Sequence, residues 1–493
     1  MQRHSADRNG FGYGLATMQD PSWDLEQVLA ATGGRLLPAK GKGKTPLAAT
    51  FRSISTDSRT IGPGDIFLAL HGDTFDGLSF AAQAIGQGAA AIIGDRAMDP
   101  LPPVPMVLVA DTLRALGDLA HFRRTHLTRL TVVAITGSSG KTTVKEMTAH
   151  ILGLCGKTLK TTGNFNNLIG LPLSLLPVNY HHQFAVLEMG MNCPGEIARL
   201  TEIADPDVAC INNIQAAHLA GLGSIEGVAR AKGELFAGCR ATTTLAVNSE
   251  DPLIRKLVRR LPNPRISFGF RRGVTVRGTR ITTAKGSPGQ QGMAFTLEVA
   301  GQQARVRLRT VGRHNVLNAL AAGAMAHAAG AGMTEIVTGL QAFTPGENRF
   351  GIRALPCGLR VINDSYNANP SSMKAALATV AMIRGEARTV AVLGDMLELG
   401  PTSREIHAEL GGQVPAQGFD YLLCVGEFAS TVVEAAQHAG MSATAAREFT
   451  SKEEIAAAIK ELLAHGHLRT GDLILVKGSR GMRMEQVIVA LAG

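Results

Sequence analysis

The sequence predicts an α/β protein of three domains. A smaller N-terminal α/β domain (1–127) precedes a central domain on a mostly parallel sheet (128–345) and a second doubly wound α/β domain (346–493). Three observations predict this. The chain has 493 residues, too many for one core, and about three domains of ~150 residues each is the expected division. Short apolar runs alternate with helical segments through the second and third regions, the pattern of parallel sheets covered by helices on both faces. One such run leads into a Gly-Lys-Thr sequence that opens a helix, the context of a phosphate-binding loop.

Composition fits this class. Apolar residues make up 45% and charged residues 18%, with 56 Gly and 21 Pro, ordinary for a soluble α/β chain. Net charge is +9, but Lys and Arg are scattered; the one cluster, Arg255, Lys256, Arg259 and Arg260, has helical spacing and reads as a solvated face. A nucleic-acid surface is disfavoured, because aromatics for base stacking are only 4%. The six cysteines form no CxxC pair and no zinc spacing with histidine, so free thiols in a reducing cytoplasm are expected. The uncharged runs Thr161–Leu187 and His314–Thr334 are too broken by polar residues for a membrane span. Residues 1–20 lack an apolar signal core and read as a tail.

In the N-terminal region, IGPGD is a turn before the strand IFLAL, followed by the helix-like FAAQAIGQGA and the strand AAIIG. The central strands are TVVAIT, FAVLEM, DVACINNI and TLAVN. The stretch from GVTVRGTRITTAKG to ARVRLRTV alternates polar and apolar residues and reads as a small antiparallel insert. In the third region TVAVLGDM, YLLCVGE and DLILVKGS are strands, and SREIHAELGGQ, ASTVVEAAQHAG and SKEEIAAAIKELLAHG are helices.

The stretch AITGSSGKTT carries the chemistry. It departs from the P-loop pattern at one place, since Ile135 stands where the upstream glycine belongs. Gly137 and Gly140 still let successive N–H groups converge on phosphate oxygens, and the following helix adds its positive end. Lys141 would reach the β/γ-phosphates and the Thr142 hydroxyl would bind Mg²⁺. Strand FAVLEM ends in Glu188 and VACINNI leads to His218, so three strands deliver Lys141 and Thr142, Glu188 and His218 to one sheet edge, where open α/β sheets bind ligands. Each alone has a plainer reading: a strand-end carboxylate, a surface or core histidine.

Five further stretches join this loop in a fixed order: TTGNFNNLIGLP, EMG, AHLAGLGSIEGVARAKGELF, GRHNVLNALAA and NDSYNANPSSMKAAL. In this order they resemble the Mur ligases, ATP-dependent enzymes that extend the peptide of the cell-wall precursor, and the shortened loop TGSxGKT is that family's form. NDSYNANP, VLGDMLELG and VKGSRGMRME are most similar to the branch that adds D-alanyl-D-alanine to UDP-N-acetylmuramoyl-tripeptide. Other Mur-type and folylpolyglutamate-type ligases differ in the NDSYNANP loop. A non-ligase nucleotide switch would not need that loop.

The resemblance implies a precursor-binding N-terminal domain, a central P-loop ATPase domain and a Rossmann-like C-terminal domain that accepts the amine. It implies ATP and two Mg²⁺ ions, and no nucleic-acid partner. A cytoplasmic monomer without membrane insertion is expected. The loop residues Gly137, Ser138, Gly140, Lys141, Thr142 and Thr143 would hold the nucleotide. Thr142, Glu188, His218 and a carbamylated Lys232, in VARAKGELF, would serve the metals. Thr161, Thr162, Asn164, Asn166 and Asn167 would lie beside the reacting carboxylate and γ-phosphate, with Asn164 counted as catalytic; a helix cap is the plainer reading of this cluster. His314, Asn315 and Asn318 share a helix face and would meet adenine; helix–helix contacts are their alternative.

Arg349 follows TPGEN, two residues later than the family's Gly-Arg, and would contact nucleotide phosphate or ribose; a linker arginine is its alternative. Asp364 and Asn367 would meet ATP, and Tyr366 and Asn369 the dipeptide. Asp57, Ser58 and Arg59 resemble the uridine-diphosphate contact, and a salt-bridged turn explains them as well.

Overall fold

The structure, a computed structural model, describes residues 22–41, 49–217, 219–284, 291–346 and 350–492. His218, Arg349 and the expected tail 1–20 lie outside the described residues. The chain forms two compact units. One runs up to Leu130 and includes Leu176–His182; the other holds Thr131–Leu175 and everything from Gln183 on.

The first unit is built on a five-stranded sheet in the order Arg35–Leu37, Met106–Leu108, Ala91–Gly94, Ile66–Leu68, Ile54–Ser55. Only the first pairing is antiparallel. Phe67, Leu78, Ala81, Ile92 and Met106 fill its core. The turn expected at IGPGD is made by Gly64 at φ 84° and locked by Asp65, which accepts from Arg52, Ser53 Oγ and the Gly62 N–H.

The second unit carries two sheets. The larger has nine strands: Thr158–Lys160, Phe184–Glu188, Thr131–Thr136, Val208–Ile211, Thr244–Asn248, Arg265–Gly269, Val276–Ala284, Gly292–Val299 and Gln302–Leu308. The first seven run parallel and the last two antiparallel. The stretch expected as an insert therefore extends the main sheet. Its alternation buries Val276, Phe295, Leu297, Val306 and Leu308 in the same core as the helix Arg313–Ala328. That Ala-rich helix is buried over most of its length.

The smaller sheet has six strands in the order Gly351–Ala354, Arg360–Asp364, Leu473–Lys477, Thr389–Gly394, Tyr421–Val425, Ala446–Phe449, parallel except for the first pair. Caps explain where its helices begin. Ser451 accepts from Glu454 N to start Lys452–Ala464, and Asn369 with Ser372 forms a capping box at Pro370–Ile383. Arg255, Lys256, Arg259 and Arg260 are exposed, and all six cysteines are free.

Candidate active site

The strand Thr131–Thr136 ends at the glycine loop, and the helix Lys141–Leu152 starts from Gly140 at φ 75°. A side chain at 140 would be strained by that φ. Its Cβ would also fall 2.7 Å from Asn318 Oδ1 and 2.9 Å from Asn212 Nδ2. The loop is held from behind by the next strand's exit. Asn212 Nδ2 and Asn213 Nδ2 both donate to Ser139 O at 3.0 Å, Ser139 N donates to Asn213 Oδ1, and Ser138 Oγ donates to Gln215 O. Lys141 Nζ donates to Gly137 O at 2.8 Å, so its ammonium sits over the loop's own backbone.

Beside the helix start, Thr142 Oγ1 donates to Glu188 Oε2 at 2.7 Å, and Asn166 Nδ2 donates to Glu188 Oε1 at 2.9 Å. Glu188 is buried, and its backbone N–H donates to Thr161 Oγ1. Thr161 is itself fully buried, so its hydroxyl positions the glutamate. Thr162, Asn164 and Asn167 are exposed; Asn167 Oδ1 also caps the helix Gly170–Leu175 through Gly170 N.

From the smaller sheet, the loop after Arg360–Asp364 faces the same space. Asn369 Nδ2 donates to Ser138 O at 3.4 Å, and Lys477 Nζ binds Asp364 Oδ2 at 2.6 Å and Asn367 O at 2.9 Å. A cavity of about 780 Å³ is lined by Ser138 to Thr143, Glu188, His314, Asn318 and Asp364 to Asn369 except Ser365, within the size range of small-molecule sites. Asn164, Asn166, Asn167 and Asn315 also line it, and Lys232 and Gly137 do not.

The amides of Asn315 and Asn318 are engaged inside the protein. Asn315 Nδ2 donates to Thr310 Oγ1 and Val311 O, Asn318 Nδ2 donates to Asn315 Oδ1, and Asn318 Oδ1 accepts from Asn212. His314 packs edge-on against Phe350, and burial pushes its imidazole down to about 4. It is therefore neutral at neutral pH. Lys232 is 1% exposed on the helix Ile225–Gly238. Burial, then the charge of Lys141, holds its ammonium well below the usual lysine range.

In the first unit, Asp57 and Arg59 form an exposed pair at 2.7 Å, and the guanidinium pulls the Asp57 carboxyl down to about 2. Ser58 Oγ donates to Gln83 Oε1.

Family models match along the chain in order: "Mur ligase family, catalytic domain" over residues 50–124, "Mur ligase middle domain" over 135–326 and "Mur ligase, glutamate ligase domain" over 348–480. The UDP-N-acetylmuramoyl-tripeptide–D-alanyl-D-alanine ligase of Escherichia coli K12 is 39% identical over 452 residues, covering 90% of this chain and 94% of that protein. The chain belongs to the Mur ligase family. A crystal structure of MurF from Acinetobacter baumannii matches with a TM-score of 0.86 at 35% identity, covering 96% of this chain and 99% of that one. MurF of Thermotoga maritima in complex with ADP matches with a TM-score of 0.79 at 29% identity, covering 90% and 97%.

This Mur ligase carries two buried lysines that the sequence reading did not nominate. Lys145 and Lys477 are 1% and 2% exposed at their side chains. Lys145 Nζ donates to Thr161 O at 2.8 Å, pairs with Glu146 at 3.0 Å and lies 4.0 Å from Glu188. The available signal was spacing: Lys145 falls four residues after Lys141, on a helix whose Val144 and Met147 are core. Asn212, Asn213 and Gln215 were also passed over, though NNIQ directly follows a buried strand.

Thr142 and Glu188 offer hard oxygen donors side by side, a fit for Mg²⁺, which takes one or two protein ligands and completes its shell with phosphate and water.

Proposed function

We propose that this chain joins D-alanyl-D-alanine to UDP-N-acetylmuramoyl-tripeptide at the expense of ATP, through an acyl phosphate. The observation that carries the reading is the convergence of the glycine loop, Glu188 and the Asp364–Asn369 loop on one cavity. A phosphate donor site and a C-terminal acceptor loop in one space are what a carboxylate–amine ligase needs and a switch does not.

The loop N–H groups and Lys141 bind and neutralise the β/γ-phosphates, leaving the γ-phosphorus open to the tripeptide's terminal carboxylate. Such a transfer depends on positioning and charge neutralisation. When bound, Mg²⁺ supplies further neutralisation, held by Thr142 and Glu188, with His218 as the expected ligand of a second ion. Asn164 and Asn166 orient the carboxylate, Asn166 while fixing the Glu188 rotamer. The carboxylate oxygen attacks the γ-phosphorus and ADP leaves. The dipeptide's neutral amine then attacks the acyl carbon, phosphate departs with the carboxylate's oxygen, and the amine loses a proton. Asp364 and Asn367 serve the nucleotide, with Tyr366 and Asn369 on the acceptor side. Neutral His314 offers the adenine a hydrogen-bonding edge without charge, and Asn315 and Asn318 fix the helix that presents it. Asp57, Ser58 and Arg59 bind the precursor's diphosphate from the N-terminal domain.

Lys232 is carbamylated. Burial favours the uncharged amine, the form that adds to CO₂ with release of one proton, and the carbamate supplies an oxygen anion where an ammonium would oppose Lys141. The three domains divide as 1–127 for precursor, 128–345 for ATP and 346–493 for the dipeptide, in a cytoplasmic monomer.

The test is to supply Mg-ATP with a panel of muramoyl peptides and amine acceptors and to weigh the products. The pentapeptide product with D-alanyl-D-alanine is expected. Phosphate release that ignores the acceptor, with no ligated product, would contradict the proposal.

A further inference from the structure

A second cavity, of about 500 Å³, adjoins the first and shares Thr142, Thr143, Asn164 and Tyr366 with it. Its other walls come from the helix Lys141–Leu152, the loops at Gly163 and Phe343–Gly346, and the turn at Arg480. Phe343 and Pro345 supply apolar surface, and Arg480 supplies a guanidinium. Resting on the ligase reading above, we propose that this cavity seats the amine acceptor and that Arg480 receives the acceptor's terminal carboxylate.

Charge decides between the cations that line it. Lys145 is enclosed and already binds Thr161 O and Glu146. Glu146 in turn is held by Lys145 and Lys160, so its charge is compensated. Arg480 is 59% exposed at its side chain and is tethered by one bond, Nη1 to Glu485 Oε1 at 3.1 Å. That tether fixes the guanidinium while leaving its other N–H groups to meet a planar carboxylate, the geometry that arginine matches best. Arg480 opens the short turn Arg480–Met482 after the strand ending in Lys477, so the strand that holds Asp364 also sets its place.

The cavity's volume of about 500 Å³ has room for an acceptor of dipeptide size. An extended dipeptide separates amine from carboxylate by about 7 Å, at roughly 3.5 Å per residue. With its carboxylate on Arg480, the amine is directed to the shared wall of Asn164 and Tyr366, next to the helix start that holds phosphate. The two methyl groups face Phe343 and Pro345.

The test compares D-alanyl-D-alanine with its C-terminal amide in the full-length enzyme and in Arg480→Gln, with Arg480→Lys beside it. The wild type is expected to favour the acid by about 10–100-fold in kcat/KM, the range of one charge-assisted hydrogen-bonded contact. Arg480→Gln loses that preference through the dipeptide KM, while the ATP KM stays within about twofold, and Arg480→Lys recovers part of it. A purely structural arginine would move both KM values and leave the acid-to-amide ratio intact; that result overturns the proposal. Equal use of acid and amide by the wild type overturns it without touching the ligase reading. Failure to ligate either form overturns the ligase reading and the proposal together.

Discussion

Replacing Lys477 by methionine keeps the volume of a buried side chain and removes its charge. The ammonium is 2% exposed and bonds to Asp364 Oδ2 at 2.6 Å and Asn367 O at 2.9 Å. Asp364 keeps 20% of its side chain in solvent, so part of its lost partner is replaced by water. Breaking a fully buried pair costs about 3–5 kcal/mol; with that relief, about 3 kcal/mol is expected. The loss concentrates on the loop that brings Asp364, Tyr366 and Asn367 to the cavity, so the KM for both ATP and dipeptide should rise about tenfold or more. Differential scanning calorimetry reads the first effect and steady-state phosphate release the second. A variant with wild-type stability and unchanged KM values would refute the claim that Lys477 organises the acceptor loop.

Gly140→Ala forces a side chain into a left-handed position and against Asn318 and Asn212, which should cost about 1–2 kcal/mol in backbone strain alone; Mg-ATP binding, read by calorimetric titration, is expected to fall well beyond the loss in stability. His314 has a folded-state pKa of about 4 against an ordinary value near 6.5, so the unfolded chain takes the proton first as pH falls. Its contribution is fully present above pH 6.5 and is lost toward pH 4, at most about 3 kcal/mol; His314→Gln should flatten that part of the pH–stability curve measured in urea, and an unaltered slope would exclude His314 as its source. Lys232→Ala should lose about 10–100-fold in kcat and recover part of it with added short carboxylic acids; full activity without rescue would count against a carbamate.

The parts of this fold that rest on periodicity and punctuation were legible in the sequence. Thr131–Thr136, Phe184–Glu188 and Leu473–Lys477 are continuous apolar runs, and Ser451 and Asn369 announce their helices by cap chemistry. The strands Val276–Leu308 were found as alternating segments, but alternation does not say which sheet they join; the buried Ala-rich helix beneath them decides that. Glu188, Thr142 and Asn166 were legible because their motif has a known context. Lys145 and Lys477 were not, since a lysine in a sequence reads the same whether solvated or buried, and only the carbonyls of Thr161 and Asn367 show why these two are inside. The asparagines 315 and 318 show the converse: their shared face was evident, but Asn212, which donates to Asn318, follows a strand 106 residues earlier in the chain.

Ligation at this cavity requires that phosphorus pass to the tripeptide's carboxyl group before the amide bond forms. Labelling the tripeptide's terminal carboxylate with oxygen-18 and weighing the phosphate released at complete turnover tests it directly. One labelled oxygen in each phosphate is the result this geometry predicts. Unlabelled phosphate, with the label retained in the new peptide or in water, would contradict it.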